Sequence, residues 1–230
     1  MHQPESPYAS FTDLLVSLVF IFLLLVAVLA INVRPPGKPE SMPDKLAKLT
    51  SGLGDKLRDS GVAVQVDAPN GRLTFGADVL FPVGSADLTL EGQQAVAELA
   101  IQLRRILPPH VHNLSRTDDT PNPVEPLSID TILVEGHADP SPFRGTGGRY
   151  KDNTELSAAR ARAVQLWLFE TTPDLAEALS GLLTTTSQMH PLFGIAGYGE
   201  SRPAKLGLPP TDPAHRRVEI RIIAFPPNNK

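Results

Sequence analysis

The most constraining feature of the sequence is an uninterrupted apolar segment near its start. From Leu14 to Ile31 the chain reads LLVSLVFIFLLLVAVLAI, without a charged residue, Gly or Pro. As an α-helix this segment would be about 27 Å long, which nearly spans the hydrocarbon core of a bilayer. No Lys or Arg precedes the segment and no A-x-A site follows it, so a permanent membrane anchor is favoured over a cleaved signal peptide.

A single acidic residue, Asp13, lies at the mouth of this apolar segment. An ionisable group there is costly unless it is protonated, paired or turned to a wet interior, so it is a functional candidate. Ser17 lies one helical turn further on the same face, where small polar residues suit close packing against a partner helix. Alternatively, Asp13 is an N-terminal helix residue at the membrane interface, a position that acids also favour. The residues alone leave both interpretations open.

Composition argues against several functions. A net charge of -4 and a pI near 5.9 oppose sequence-independent nucleic-acid binding, which needs a basic face. The absence of cysteine excludes disulfides, thiol nucleophiles and thiolate metal sites. His110, His112, His137 and Asp139 are conceivable zinc ligands, but the first two lie in a Pro-rich segment. We therefore expect no cofactor, no metal site and no enzymatic activity.

The remaining sequence predicts a tether followed by an α/β domain. Pro35, Pro36, Pro39 and Pro43 favour an extended spacer, and an amphipathic helix with Leu46, Leu49, Leu53 and Leu57 on one face follows it. The expected division is a cytoplasmic tail over 1–12, a transmembrane helix over 13–33, a linker with the short helix over 34–60, and a folded domain over 61–230.

Within the folded domain, strands alternate with helices. Alternation and turn signals predict strands over 62–67, 72–75, 131–135, 193–196 and 218–225, with helices over 90–107, 155–170 and 174–183 and a long loop over 108–126. Such alternation favours the α/β class, with helices packed against one sheet.

Four sequence blocks carry a resemblance to a known family. They read VEGHADPSP at 134–142, NTELSAARARAV at 153–164, IAGYGESRPA at 195–204 and HRRVEIRI at 215–222. Together they resemble the OmpA-like peptidoglycan-binding domain, and FGADVLFPVGSADLTLEGQQAV at 75–96 is similar to its opening strand and first helix. The resemblance implies an OmpA-like α/β sandwich, a mixed sheet with helices on one face.

The resemblance also implies a set of ligand-binding residues. By motif, the Asp and Arg that hold the diaminopimelate of the wall peptide correspond to Asp139 and Arg160. A carboxylate accepts hydrogen bonds from the ligand's ammonium, and a guanidinium pairs with its carboxylate. Asn153 matches the family's Asn before the helix, with an amide able to donate and accept, and Arg216 belongs to the last block.

The sequence departs from the family pattern in three places. Ala138 replaces the usual Thr, His215 stands where the family has Asn, and the loop over 140–152 is longer than usual. These departures bear on the affinity for the wall ligand more than on the fold.

An acid-bearing anchor, a short linker and an OmpA-like domain in this order resemble MotB-type stator subunits. The string YASFTDLLVSLVFIFLLL is similar to the entry of their channel helix, which implies that Asp13, with Ser17 beside it, is the ion-binding carboxylate. The segment RLTFGADVLFPVGSADLT and the insertion between Trp167 and Phe193 are closer to ZorB, the MotB-like subunit of the Zorya anti-phage defence system. Flagellar MotB and a passive wall tether without ion transport are the alternatives.

This resemblance implies partners and an orientation. The expected partners are a polytopic MotA-like (ZorA-like) membrane subunit, peptidoglycan and a second copy of the chain. Arg34 and Lys38 after the anchor favour a cytoplasmic C-terminal part by the positive-inside rule. A peptidoglycan site requires the opposite, because the wall lies outside the inner membrane. We therefore expect a single-pass inner-membrane protein with a cytoplasmic N-terminus and a periplasmic C-terminal domain.

Overall fold

The structure is a computed structural model that describes residues 7–32, 41–107, 127, 129–141, 149–173 and 192–224. The chain divides into two compact units, Met1–Glu40 and Ser41–Lys230, which are described separately. Three sequence predictions, the loop over 108–126, its residues His110 and His112, and the helix over 174–183, lie outside the described residues.

The first unit contains one helix, α1 (Pro7–Asn32), among its described residues. Its segment Phe11–Leu29 has a mean hydropathy of 2.8 and contains no buried residue, and it is long and apolar enough to cross a membrane. Because α1 begins at Pro7, Asp13 lies beyond its first turn and is not a helix-start residue. Ser17 follows four residues later in α1, which places it on the same face as Asp13.

The second unit is built on a mixed sheet, with five strands in the described part of the chain. The strands are β1 (Gln65–Asp67), β2 (Arg72–Gly76), β3 (Ile129–His137), β4 (Phe193–Gly197) and β5 (Arg217–Ala224). They lie in the order β1-β2-β5-β3-β4, and only the pair of β3 with β4 is parallel. The end of β3 and the start of β5 therefore meet at one edge of the sheet, where His137 pairs with Arg217.

Helices cover one face of this sheet. They are α2 (Met42–Asp59), the short α3 (Ala77–Leu80), α4 (Leu90–Ile106) and α5 (Asn153–Thr171). The α5 helix packs on β3 and β4, and α4 contacts both α2 and α5. The inner face of the sheet and the apolar faces of the helices form one core, which includes Leu53, Leu57, Leu73, Leu99, Leu103, Ile132, Val134, Leu168, Ile220 and Ile222.

The α2 helix, which the sequence analysis grouped with the linker, packs into the second unit. Leu53 and Leu57 have no exposed surface, and the helix contacts β1, β2, β5 and α4. Ser41 and Asp44 form a capping box at its start, which satisfies backbone groups that would otherwise lack partners. The amphipathic pattern of α2 thus reflects burial in the core of its own chain.

The α5 helix lies unusually close to the sheet at two glycines. A Cβ at Gly136 would lie 2.0 Å from the carbonyl oxygen of Ser157, and a Cβ at Gly197 would lie 2.5 Å from the backbone nitrogen of Ala158. Only glycine permits this approach, because backbone atoms cannot move aside as a flexible side chain can. The contact fixes the first half of α5 above the ends of β3 and β4.

Candidate functional site

Asp139 lies two residues beyond β3, beside the start of β5. Its Oδ2 accepts a hydrogen bond of 2.7 Å from Nη1 of Arg216, and its Oδ1 accepts one of 3.0 Å from the backbone N–H of Ser141. Burial alone would raise the pKa of this carboxyl, but the bonds from Arg216 and Ser141 hold the pKa below its ordinary value. Asp139 is therefore an ionised carboxylate at neutral pH.

Asn153 is the first residue of α5 and joins that helix to the loop after β3. Its Nδ2 donates to the carbonyl oxygens of Asp139 at 3.2 Å and Ser141 at 3.0 Å. Asp152 caps the same helix by accepting from the N–H of Glu155 at 2.8 Å. Both amide protons of Asn153 are thus used to shape the loop around Asp139, and only its Oδ1 remains as a group to offer a ligand.

Arg160 lies two turns further along α5 and is 6% exposed. Its Nε donates to the carbonyl oxygen of Ser85 at 2.9 Å and its Nη2 to that of Pro82 at 3.3 Å. The guanidinium also lies over the ring of Phe81, 5.2 Å from its centroid. Burial lowers the pKa of Arg160, although an arginine stays protonated over the physiological range. Neither hydrogen bond uses Nη1.

Arg216 immediately precedes β5 and binds two carboxylates. Its Nε and Nη2 donate to Asp78 of α3 at 3.2 and 3.0 Å, while Nη1 donates to Asp139. The bonds with Asp78 and then Asp139 raise the pKa of Arg216. The backbone strengthens the same junction, because the N–H of Ala77 donates to the carbonyl oxygen of Arg216 at 3.0 Å.

These five residues, Asp78, Asp139, Asn153, Arg160 and Arg216, are called the strand-end cluster below. The cluster combines two carboxylates with two guanidiniums. Arg160 forms no ion pair with either acid among the described residues and bonds to neutral carbonyls instead. The arrangement is suited to a small ligand that carries an ammonium and a carboxylate, since Asp139 accepts hydrogen bonds and Arg160 donates them.

The structure brings four of the six predicted site residues together. Asp139 from the loop after β3, Asn153 and Arg160 from α5, and Arg216 just before β5 interact with one another. Asp13 and Ser17 belong to α1 in the other unit.

Ala138 and His215, the two single-residue departures from the family pattern, are both buried and hydrogen-bonded. Ala138 is buried, and its N–H donates to the carbonyl oxygen of Gly199 at 2.8 Å. His215 is buried too, with Nδ1 accepting from the N–H of Ala204 at 3.1 Å and Nε2 lying 3.0 Å from the carbonyl oxygen of Pro209. This pattern assigns the proton to Nε2. His215 therefore fixes the loop before β5.

Asp78 is the member of the cluster that sequence reasoning missed. It was part of the segment similar to the family's opening strand, but no spacing rule linked it to Arg216, which is 138 residues away. The pairing of β2 with β5 supplies the link, because Gly76 lies opposite Arg217 and Asp78 is the second residue after β2. A correct prediction of that strand pair would have found Asp78.

A second polar cluster lies on the sheet face opposite the helices. Glu135, His137 and Glu219 are buried, and their ligand atoms lie within 4.8 Å of one another, a donor set that suits a metal ion. Arginines already neutralise the two acids, however, since Arg221 lies 2.8 Å from Glu135 and Arg217 lies 2.7 Å from Glu219. A cation would have to displace these guanidiniums or approach them without a compensating charge, so the donor set fits an ion-pair network better than a metal site.

No protein-family model and no curated protein matches the chain. Among solved structures, a MotB-like protein from Desulfovibrio vulgaris is similar over 80% of this chain and 100% of its own, with 19% identity and a TM-score of 0.51. The cell wall anchor of the type VI secretion system (T6SS) from Pseudomonas aeruginosa matches over 78% and 97% of the two chains, with 27% identity and a TM-score of 0.48. The periplasmic domain of Helicobacter pylori MotB matches over 68% and 78%, with 18% identity and a TM-score of 0.45.

The first of these similarities shows the fold. The predicted class, an N-terminal apolar helix followed by an α/β sandwich with helices on one face of a mixed sheet, is confirmed. The chain therefore has the fold of a MotB-like protein with an OmpA-like α/β sandwich.

Proposed function

We propose that this chain is a peptidoglycan-anchored stator subunit of an ion-driven inner-membrane complex. The strand-end cluster carries the proposal, because it holds an ionised Asp139 and the guanidinium of Arg160 at one edge of the sheet. The diaminopimelate of a wall peptide presents an ammonium and a carboxylate on one carbon, which matches that pair in sign and in hydrogen-bonding type.

The proposed orientation follows from the wall site. Peptidoglycan lies outside the inner membrane, so the second unit is periplasmic and α1 is the single membrane span, with a cytoplasmic N-terminus. Arg34 and Lys38 oppose this orientation by the positive-inside rule, but two charges are a small bias. The partners in this proposal are a second copy of the chain and a polytopic MotA-like subunit.

Within the stator class we propose the ZorB role in Zorya anti-phage defence rather than a flagellar one. The support comes from the segment RLTFGADVLFPVGSADLT and from the insertion between Trp167 and Phe193. The neighbouring genes test this finer assignment. A MotA-like gene beside helicase and nuclease genes supports defence, whereas flagellar genes at the same position would contradict it.

Sedimentation with purified peptidoglycan tests the wall site. Asp139→Asn keeps the shape of the side chain and removes its charge, so we expect the full chain in detergent to lose at least tenfold in affinity, the scale of one charge-assisted hydrogen bond. Arg160→Gln should do the same at the other pole of the ligand.

A matched control is available away from the cluster. Asp55 is 65% exposed at its side chain and pairs with Arg58 within α2, outside the strand-end cluster. Asp55→Asn should therefore pellet as the wild type does. If Asp139→Asn also pellets like the wild type, the peptidoglycan site is not at this cluster.

A further inference from the structure

The strand-end cluster contains one more carboxylate than a zwitterionic ligand requires. Asp139 and Arg160 suffice to pair with an ammonium and a carboxylate. Asp78 and Arg216 are an additional acid and base, and Arg216 binds both Asp78 and Asp139. The function of this additional pair is a question that the proposed wall site leaves open.

Arg216 is bound to the carboxylate of Asp139, the group proposed to bind the ammonium of the ligand. The Asp139 side chain is 12% exposed, and each of its oxygens already accepts a hydrogen bond, one from Ser141 and one from Arg216. An ammonium that approaches this carboxylate therefore meets the guanidinium of Arg216, whose Nη1 lies 2.7 Å from Oδ2 of Asp139. The two positive charges repel each other, and a second negative charge nearby offsets that repulsion.

Asp78 supplies that second charge in a geometry that favours exchange. It accepts from two nitrogens of Arg216, Nε and Nη2, whereas Asp139 accepts from Nη1 alone. A two-bond contact holds a guanidinium more firmly than a single bond does. Arg216 can therefore give up its bond to Asp139 and stay neutralised by Asp78.

We propose that Asp78 is a positioning residue of the wall site that acts through Arg216. It holds Arg216 as a releasable counter-ion, so that Asp139 exchanges the Nη1–H of Arg216 for the ammonium of diaminopimelate. This inference rests on the proposed function. One charge-assisted hydrogen bond is broken and one is formed, and the cluster remains neutral with a neutral zwitterion bound.

Two probes with the same carbon chain separate this role from a general structural one. Diaminopimelate carries ammonium groups, and pimelate is the corresponding dicarboxylate without them. Without the Asp78 charge, Asp139 is the remaining carboxylate partner of Arg216 in the cluster. Arg216 then competes with the ammonium of the ligand for Asp139. We expect Asp78→Asn to weaken diaminopimelate binding to the full chain about tenfold in titration calorimetry, while pimelate binding stays equal or becomes stronger.

A double-mutant cycle tests whether Asp78 acts through Arg216. Arg216→Gln removes the competing charge, so adding Asp78→Asn to that variant should change diaminopimelate affinity by less than twofold. Asp55→Asn serves as the control and should leave the binding of both probes unchanged.

The outcomes are distinguishable. The exchange role is overturned if Asp78→Asn leaves diaminopimelate binding intact or weakens the binding of both probes equally. It is also overturned if Asp78→Asn weakens diaminopimelate binding as much in the Arg216→Gln variant as in the wild type. In each of these cases the wall site stands. If Asp139→Asn also binds diaminopimelate as the wild type does, the proposed wall site itself fails.

Discussion

His137 is a buried histidine whose ring nitrogens have no hydrogen-bond partner among the described residues. It is 1% exposed, stacks on Tyr198 and lies 3.8 Å from the carboxylate of Glu219. Burial, followed by the nearby charge of Arg217, lowers its pKa to about 4, and Glu219 opposes the shift only in part. His137 is therefore neutral in the folded protein at pH values where it is charged in the unfolded chain.

This pKa difference predicts a stability that falls as the pH falls. Between the unfolded value of 6.5 and the folded value of about 4, the unfolded chain binds a proton that the folded chain does not. The free energy of unfolding should therefore drop by about 2 kcal/mol between pH 7.5 and pH 5. Urea unfolding of the full chain in detergent measures this, because Trp167, its single tryptophan, lies in α5 and reports on the second unit.

His137→Gln supplies the control for this prediction. The variant has no imidazole to protonate, so its free energy of unfolding should vary little over the same pH range. The carboxyls of Asp67, Asp139 and Glu219, whose pKa values are lowered, titrate below this range and do not obscure it. An equal loss of stability in His137→Gln would show that another group is responsible.

At the scale of elements, packing against the core explains the amphipathic pattern of α2. Leu53 and Leu57 are fully buried. The backbone N–H of Val62 donates a hydrogen bond of 2.9 Å to the carbonyl oxygen of Leu57, which ties the chain after the helix to its last turn. The helix is thus part of the folded unit. A free linker helix would instead expose these leucines.

Leu57→Ala tests this account of α2. Removing a fully buried leucine leaves a cavity, and we expect the free energy of unfolding to fall by about 2 to 5 kcal/mol. Ser51→Ala, at an exposed position of the same helix, should change it by less than about 0.5 kcal/mol. Urea unfolding followed by Trp167 fluorescence compares the two, and equal stabilities would show that α2 does not belong to the core.

The elements also show which parts of the fold the sequence could predict. The long helices and the central strands were predicted to within a few residues, because Leu99, Leu103, Ile132 and Val134 follow clear periodic patterns and are buried. The predicted strand over 62–67 is shorter, Gln65–Asp67, since the residues before it turn under α2. Asp78 was missed because its partnership with Arg216 depends on a strand pair that periodicity does not specify.

At the scale of the whole molecule, the chain combines two units with different chemistry. One is an apolar helix that carries an acid, and the other is an α/β domain with a neutral cluster of acids and arginines at one edge of its sheet. In the proposed function the wall site supplies a fixed point, since a partner that moves in response to ions does work only against something immobile. Asp13 is then the residue that distinguishes a stator from a passive tether.

Asp13→Asn tests that distinction in the full chain, reconstituted in vesicles with the polytopic partner of the proposed function. The amide keeps the size of the side chain but cannot exchange a proton or pair with a cation, so we expect ion flux to fall to the level of vesicles without the complex. Asp13→Glu retains a carboxyl and should retain measurable flux. Proton-sensitive and sodium-sensitive dyes, read in parallel, identify the ion.

Peptidoglycan pelleting of the same Asp13→Asn preparation completes the test. Because Asp13 lies in α1 and the strand-end cluster belongs to the other unit, pelleting should equal that of the wild type. Lost flux with intact pelleting assigns ion passage to Asp13 and wall attachment to the cluster. Full flux in Asp13→Asn would exclude this carboxyl as the ion-binding group, and an absence of flux in the wild-type complex would leave the chain as a wall tether.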